Sequence, residues 1–207
     1  MKINKPKLKI YEEKSFSEAL LEGEIANYLI DGNKDKIVLR DLTIDSCHIK
    51  NIDFNNIVME NVHLMDCILE NCDLSNTNFN ECFITRCEFK NSKLSGISFV
   101  EATLKDLLID KCHLLYANFS NANMTNIIIN QSDLQEASFY ETEIKKLEIN
   151  ENKFYHTEFI HTKLEGIDFT NCDISGIILD NYSMKGIKVN MLQCRYLVGN
   201  LDVEVID

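Results

Sequence analysis

Between Phe99 and Phe119 the chain reads FVEATLKDLLIDKCHLLYANF, with a large apolar side chain at every fifth position: Phe99, Leu104, Ile109, Leu114 and Phe119. Followed outward, the count does not slip. Toward the N-terminus it passes through Leu94, Phe89, Ile84, Phe79, Leu74, Leu69, Leu64, Met59, Phe54, Ile49 and Ile44 to Leu39. Toward the C-terminus it passes through Met124, Ile129, Leu134, Phe139, Ile144, Ile149, Phe154, Phe159, Leu164, Phe169, Ile174, Leu179 and Met184 to Val189. Two residues before many of these stands a smaller side chain, such as Cys47, Cys67, Thr77, Cys87, Ala102, Cys112, Ala117 or Ala137. A repeat of this length has to be explained before any local signal is read.

A period of five suits neither regular backbone. On an α-helix five residues advance about 500°, which smears the apolar positions around the axis. On a straight strand an odd period throws alternate repeats onto opposite faces. The chain must therefore bend once per repeat and wind a coil that takes two residues of every five inside. Sorting by twenty separates like from like. One column reads Leu39, Met59, Phe79, Phe99, Phe119, Phe139, Phe159, Leu179, whereas the column from Ile44 through Leu64, Ile84 and Leu104 to Met184 has no phenylalanine. Four repeats per turn follow, giving a square coil with aromatic rings stacked up one side. The fold class read from the sequence is all-β, a quadrilateral β-helix of roughly eight turns. Three parts are expected: an N-terminal cap over 1–36, the coil over 37–191, and a capping or dimerisation segment over 192–207.

The totals narrow the function. A net charge of −12 argues against direct nucleic-acid binding, which needs clustered lysine and arginine. No apolar run approaches the roughly 18 residues of a membrane span, and Met1 to Ile10 is basic without a following apolar segment, so a cytoplasmic location is expected. Seven of the eight cysteines (Cys47, Cys67, Cys72, Cys82, Cys87, Cys112, Cys172) fall in the inward small slot, where a thiol acts as a compact hydrophobe rather than a metal ligand. The histidines occupy outward slots, and no nucleophile-base arrangement or phosphate loop stands out. An enzyme is not expected, nor a cofactor.

Function then lies on the outer walls and the ends. The column Asp41, Asn61, Glu81, Glu101, Asn121, Glu141 forms an acidic ridge at coil spacing, with Asp41, Glu81, Glu101 and Glu141 as candidate partner contacts. Leu108 with Ile128, and Tyr140 with Ile160, are expected as outward vertical neighbours, a candidate contact patch. Glycine and asparagine two residues after the central position suit corners with φ > 0. Ahead of the coil, Ser17 to Gly23 reads as one capped helical turn and Ile25 to Ile30 as a strand, turning at Asp31-Gly32-Asn33. Behind it, Asn190 caps a helix over Met191 to Val198, and Leu201 to Asp207 alternates like a strand. Leu192, Tyr196, Leu197, Leu201, Val203 and Val205 offer more apolar surface than a lid needs and are the candidate interface of an end-to-end homodimer.

The repeat resembles the pentapeptide-repeat proteins, which form right-handed quadrilateral β-helices. More narrowly, Gly186-Ile187-Lys188-Val189 with Gln193, Tyr196-Leu197 and a Leu-x-Val ending resembles the tail of Qnr-type quinolone-resistance proteins. The run Leu104-Lys105-Asp106 through Asp110-Lys111-Cys112 to Tyr116-Ala117-Asn118-Phe119 and Ala122-Asn123 is similar to their central coils, and closest to Qnr-like proteins of Gram-positive bacteria. The resemblance implies a dimeric rod that mimics duplex DNA, binds DNA gyrase and in some members topoisomerase IV, and protects against fluoroquinolones without catalysis. No loop interrupts the count here, which resembles the loopless members, including the mycobacterial MfpA type that inhibits gyrase as well as protecting it. The competing expectation is a scaffold module with a partner other than a topoisomerase.

Overall fold

The computed structural model describes residues 1–32 and 36–201. Asn33 of the expected turn, and residues 202–207 of the alternating tail with Val203 and Val205 among them, lie outside the described residues. The chain opens with β1 (Glu12–Glu13), α1 (Phe16–Leu21), β2 (Ile25–Ala26) and β3 (Tyr28–Asp31). The coil continues through β4 (Ile37–Asp45), β5 (His48–Lys50), β6 (Ile57–Met65), β7 (Ile68–Glu70), β8 (Phe83–Lys90), β9 (Thr103–Asp110), β10 (Asn123–Asn130), β11 (Glu143–Asn150), β12 (Glu158–Phe159) and β13 (Ile178–Leu179). It ends on a 3-10 turn, Met191–Gln193, and α2 (Cys194–Gly199).

The paired strands of the coil are parallel, and from β4 onward each residue pairs with one twenty positions away, as in Leu104↔Met124 and Met124↔Ile144. This is the β-solenoid of about eight turns that the sequence predicts. Twenty-eight of the thirty-one central residues are buried, with Ile144, Met184 and Val189 half-buried. The predicted aromatic column is present: Phe79, Phe99, Phe119, Phe139 and Phe159 stack with centroids 5.8, 5.1, 4.6 and 4.6 Å apart.

Most corners are a single residue with positive φ two positions after a central one, Asn56, Asn171 and Asn181 being exceptions. Besides Gly96, Gly166, Gly176 and Gly186, the slot holds Asn71, Glu81, Arg86, Glu101, Tyr116 and His161, all with φ between 52° and 58°. A left-handed conformation costs an ordinary residue about 1–2 kcal/mol, so the wall hydrogen bonds on either side must hold these corners. The inward small slot does more than fill space. Cys67 Sγ donates to the Ile44 carbonyl (3.2 Å), and Thr142 Oγ1, Thr157 Oγ1 and Asn152 Nδ2 donate to the Phe119, Leu134 and Ile129 carbonyls of the preceding turn (2.7–2.8 Å). The seven inward cysteines are free and buried, and burial pushes the Cys47, Cys72 and Cys112 thiols up to about 11, which leaves them unreactive.

The ends are closed differently from each other. At the N-terminus the cap residue is Ser15 rather than Ser17: its hydroxyl accepts from the Glu18 N–H while the Glu18 carboxylate accepts from the Ser15 N–H. Phe16 and Ala19 are fully buried, and Phe16 meets Phe54 edge-on at 6.1 Å. The expected strand over 25–30 is broken by Asn27 at φ 63° into β2 and β3, which pair with β4 and β5. At the C-terminus side-chain amides replace the missing next turn. Asn190 Nδ2 donates to the Thr170 carbonyl (2.9 Å) and Gln193 Nε2 to the Phe169 and Cys172 carbonyls (2.8 Å each). Asn200 accepts from the Leu179 N–H and donates to the Ile177 carbonyl. Such partners blunt an edge that would otherwise template further pairing.

Two adjoining walls are interrupted where they meet at one corner. The corner column Asp66, Arg86, Asp106, Asn126, Lys146 is followed by Gly166 at φ 85°, within a turn rather than a strand. The change of corner type displaces the carbonyls that a ladder needs. Among the described residues β11 pairs with β10 alone, and a cleft of about 410 Å³ opens there beside Ile144, Lys163 and Tyr182.

Candidate interaction surface

The acidic column lies along one corner of the square. Asp41, Glu81, Glu101 and Glu141 are exposed, and each has positive φ, between 51° and 58°. That backbone conformation aims the side chain away from the axis, and the wall fixes the height. The Glu81 N–H donates to the Val100 carbonyl, that of Glu101 to Ser120, and that of Glu141 to Ile160, at 2.8, 3.1 and 2.9 Å. Neighbouring members of the column are therefore about 4.8 Å apart along the rod. Glu81 and Glu101 are immediate neighbours, while Asn61 and Asn121 separate the other pairs, and Asn61 donates to Asp41 at 2.9 Å. The interleaved amides relieve repulsion that an unbroken carboxylate column would suffer.

The apolar candidates divide. Leu108 and Ile128 are paired in register as predicted, but both are half-buried because residues at the N-terminus lie over them. Tyr140 remains exposed, and the His161 ring packs edge-on against it at 5.8 Å. At the C-terminal end Leu192 is 79% and Leu201 50% exposed, with Met191 beside them at 85%. Tyr196 and Leu197 are half-buried against the core, so the four described members of the candidate interface do not form one uniform surface. Among the described residues no group of three or more metal-ligating side chains converges, and no helix is long and apolar enough to cross a membrane.

The N-terminal residues form an arm that no sequence signal announces. Residues 12–31 cover the open end of the coil, but Met1 to Lys9 leave that end and run along one side. The Met1 amine pairs with Glu148. Asn4 donates to Asp106 through its backbone N–H (3.3 Å) and its amide (3.0 Å), and the Lys7 N–H donates to Asp66 at 3.0 Å. Ile3, Pro6 and Leu8 are half-buried, while Lys2, Lys5, Lys7 and Lys9 are exposed. Arg86 grips Asp66 with two nitrogens, at 2.7 and 2.6 Å. Burial raises the Asp66 carboxyl, but Arg86 and the Lys7 N–H outweigh it and leave it below the ordinary value. At Asp106 burial is likewise outweighed, by the two Asn4 donors and Asn126. Depressed carboxyls favour the folded arrangement above the unfolded value of about 3.9. That contribution fades as pH falls through the lower folded values.

A family model described as a pentapeptide repeat region matches residues 62–139. The match indicates no catalytic family. Among curated proteins nothing matches. Among solved structures, the chain is similar to a trypsin-treated variant of QnrB1, a plasmid-mediated fluoroquinolone resistance protein. The two are 16% identical over 86% of this chain and 99% of that one, with a TM-score of 0.34. It is also similar to Rfr23, a pentapeptide repeat protein from the cyanobacterium Cyanothece 51142, at 15% identity over 68% and 99% with a TM-score of 0.46. A third is HetL of Nostoc sp. strain PCC 7120, involved in heterocyst differentiation regulation, at 13% identity over 86% and 92% with a TM-score of 0.35. At these scores none of the three supports a functional argument. The matched region spans the central turns, including the corners of Glu81 and Glu101 and the Asp106 contact of the arm.

Proposed function

We propose that the rod is a non-catalytic ligand of a type II topoisomerase, DNA gyrase and secondarily topoisomerase IV, and occupies surface that would otherwise hold duplex DNA. The observation carrying this reading is the straight, exposed column of Asp41, Glu81, Glu101 and Glu141 on a corner of a stiff rod. Carboxylates there stand in for backbone phosphates against a basic surface, giving register and fast association rather than chemistry. The resemblance of the central run and the tail to Qnr-type proteins supports the choice of enzyme.

The test is gyrase supercoiling with titrated protein, with and without ciprofloxacin. Unsubstituted protein is expected to alter supercoiling or rescue it from the drug at micromolar concentration. Changing Glu81, Glu101 and Glu141 together to lysine should weaken the effect at least tenfold and leave the thermal midpoint within a few degrees, since all three are exposed surface positions. No effect of the unsubstituted protein moves the reading to a scaffold with another partner, and an unchanged effect of the triple variant moves the contact to another face.

We also propose assembly end to end through the C-terminal segment, on the exposure of Leu192 and Leu201 beside Met191. Leu192→Asp with Leu201→Asp should halve the mass seen by light scattering. A full-length monomer, or an unchanged mass, removes this dimer.

A further inference from the structure

The three anchors of the arm share a spacing. Met1 meets Glu148, Asn4 meets Asp106 and Lys7 meets Asp66, so each step of three residues along the arm descends two turns of the coil. Two turns rise about 9.6 Å at 4.8 Å each, and three extended residues reach about 10 Å. An extended chain laid along the axis is therefore in register with the rod, and two of the three contacts use backbone N–H groups that any non-proline residue offers.

We propose that this side of the rod, formed by Asp66, Glu88, Asp106, Leu108, Ile128 and Glu148, is a docking groove for an extended lysine-rich segment of a partner protein. Residues 1–9 are its resident stand-in. Charge complementarity selects the occupant. The groove sets four carboxylates against Arg86, which pairs with Asp66, and Lys90, which pairs with Glu88. The arm carries four lysines and a terminal amine with no acidic residue through Ile10. The stand-in also fits loosely. A cavity of about 510 Å³ remains between the arm and the wall, bordered by Ile3, Leu108 and Ile128, so a segment with a larger apolar side chain at the position of Ile3 would bury more surface. Tethering holds the arm in place at an effective concentration in the millimolar range, which a free partner segment must overcome. This groove adjoins a different corner from the acidic column and does not rest on the topoisomerase reading.

The test empties the groove without touching it. Asn4→Pro with Lys7→Pro removes the two backbone donors in an otherwise full-length chain. The probe is a peptide of residues 1–10, carrying a fluorophore at its C-terminus so that the amine stays free, read by anisotropy at low salt. The double proline variant is expected to bind it at least tenfold more tightly than the unsubstituted chain, and adding Asp66→Asn with Asp106→Asn should abolish that gain. Equal binding by the first two proteins, or a gain that survives the aspartate changes, overturns the proposal. Hydrogen exchange of the unsubstituted chain gives a second reading. The Asn4 and Lys7 amides should be protected and lose protection when excess peptide is added; free exchange without peptide overturns the groove. A dimer present in the unsubstituted protein and absent in the proline variant would make the second occupant the arm of another copy, overturning the partner-segment reading. No topoisomerase enters these measurements, so failure here and failure of the gyrase reading are separate outcomes.

Discussion

Phe119→Ala should lower the free energy of unfolding by about 3–5 kcal/mol. Phe119 has no exposed surface, and its ring lies 5.1 Å from Phe99 and 4.6 Å from Phe139. Truncation removes the buried ring and both stacking partners at once, and each aromatic pair is worth about 0.5–1.5 kcal/mol beyond its area. Relaxation cannot recover much of this. The walls around the gap are fixed by hydrogen bonds to the turns on either side, such as Phe119 N–H to Ser138 and Phe99 N–H to Asn118. Since whole domains are stable by only about 5–15 kcal/mol, denaturant unfolding would show the change plainly. A loss under about 1 kcal/mol would mean that the shaft collapses around the missing ring.

The second large effect is expected at Gln193. It is 5% exposed, and its amide nitrogen serves the Phe169 and Cys172 carbonyls while its oxygen takes the Asn190 N–H. Gln193→Ala leaves two carbonyls of the last turn without their partner, at about 1–3 kcal/mol for each buried group left unsatisfied. We expect a loss of about 2–4 kcal/mol, with hydrogen exchange accelerated first in the final turn. Leu192→Ala is the control. One residue away but 79% exposed, it should change monomer stability by less than about 0.5 kcal/mol. Equal losses from the two substitutions would show that the tail is held by apolar packing rather than by its amides.

These two residues also mark how far the sequence could be read. Phe119 announces itself, because a period of five with a twenty-residue aromatic column admits one coil and fixes which rings touch. The acidic corner follows from the same count. Gln193 and Asn200 do not announce themselves. Their partners are 21 to 24 residues back, and an amide in a polar tail looks like any solvated residue. The arm is harder still, with contacts 59, 102 and 147 residues away and lysines that read as a solubilising tail. Two further signals do stand in the sequence. Ser15 with Glu18 three positions on is a capping box, which the reading from Ser17 missed. Gly166 follows Ser46, Asp66, Arg86, Asp106, Asn126 and Lys146 in its corner column, and it marks where the ladder stops.

That interruption has a mechanical consequence. A solenoid unfolds as a row of blocks, each held by its neighbours, and the row parts where one contact is thin. With β11 paired on one side alone among the described residues, the turns beyond Asn150 are expected to act as a separate cooperative unit, joined to the rest through two walls instead of four. Fraying that starts at the tail would halt at this seam, and the bulk of the rod, with the acidic corner from Asp41 to Glu141, would keep its shape while its far end opens.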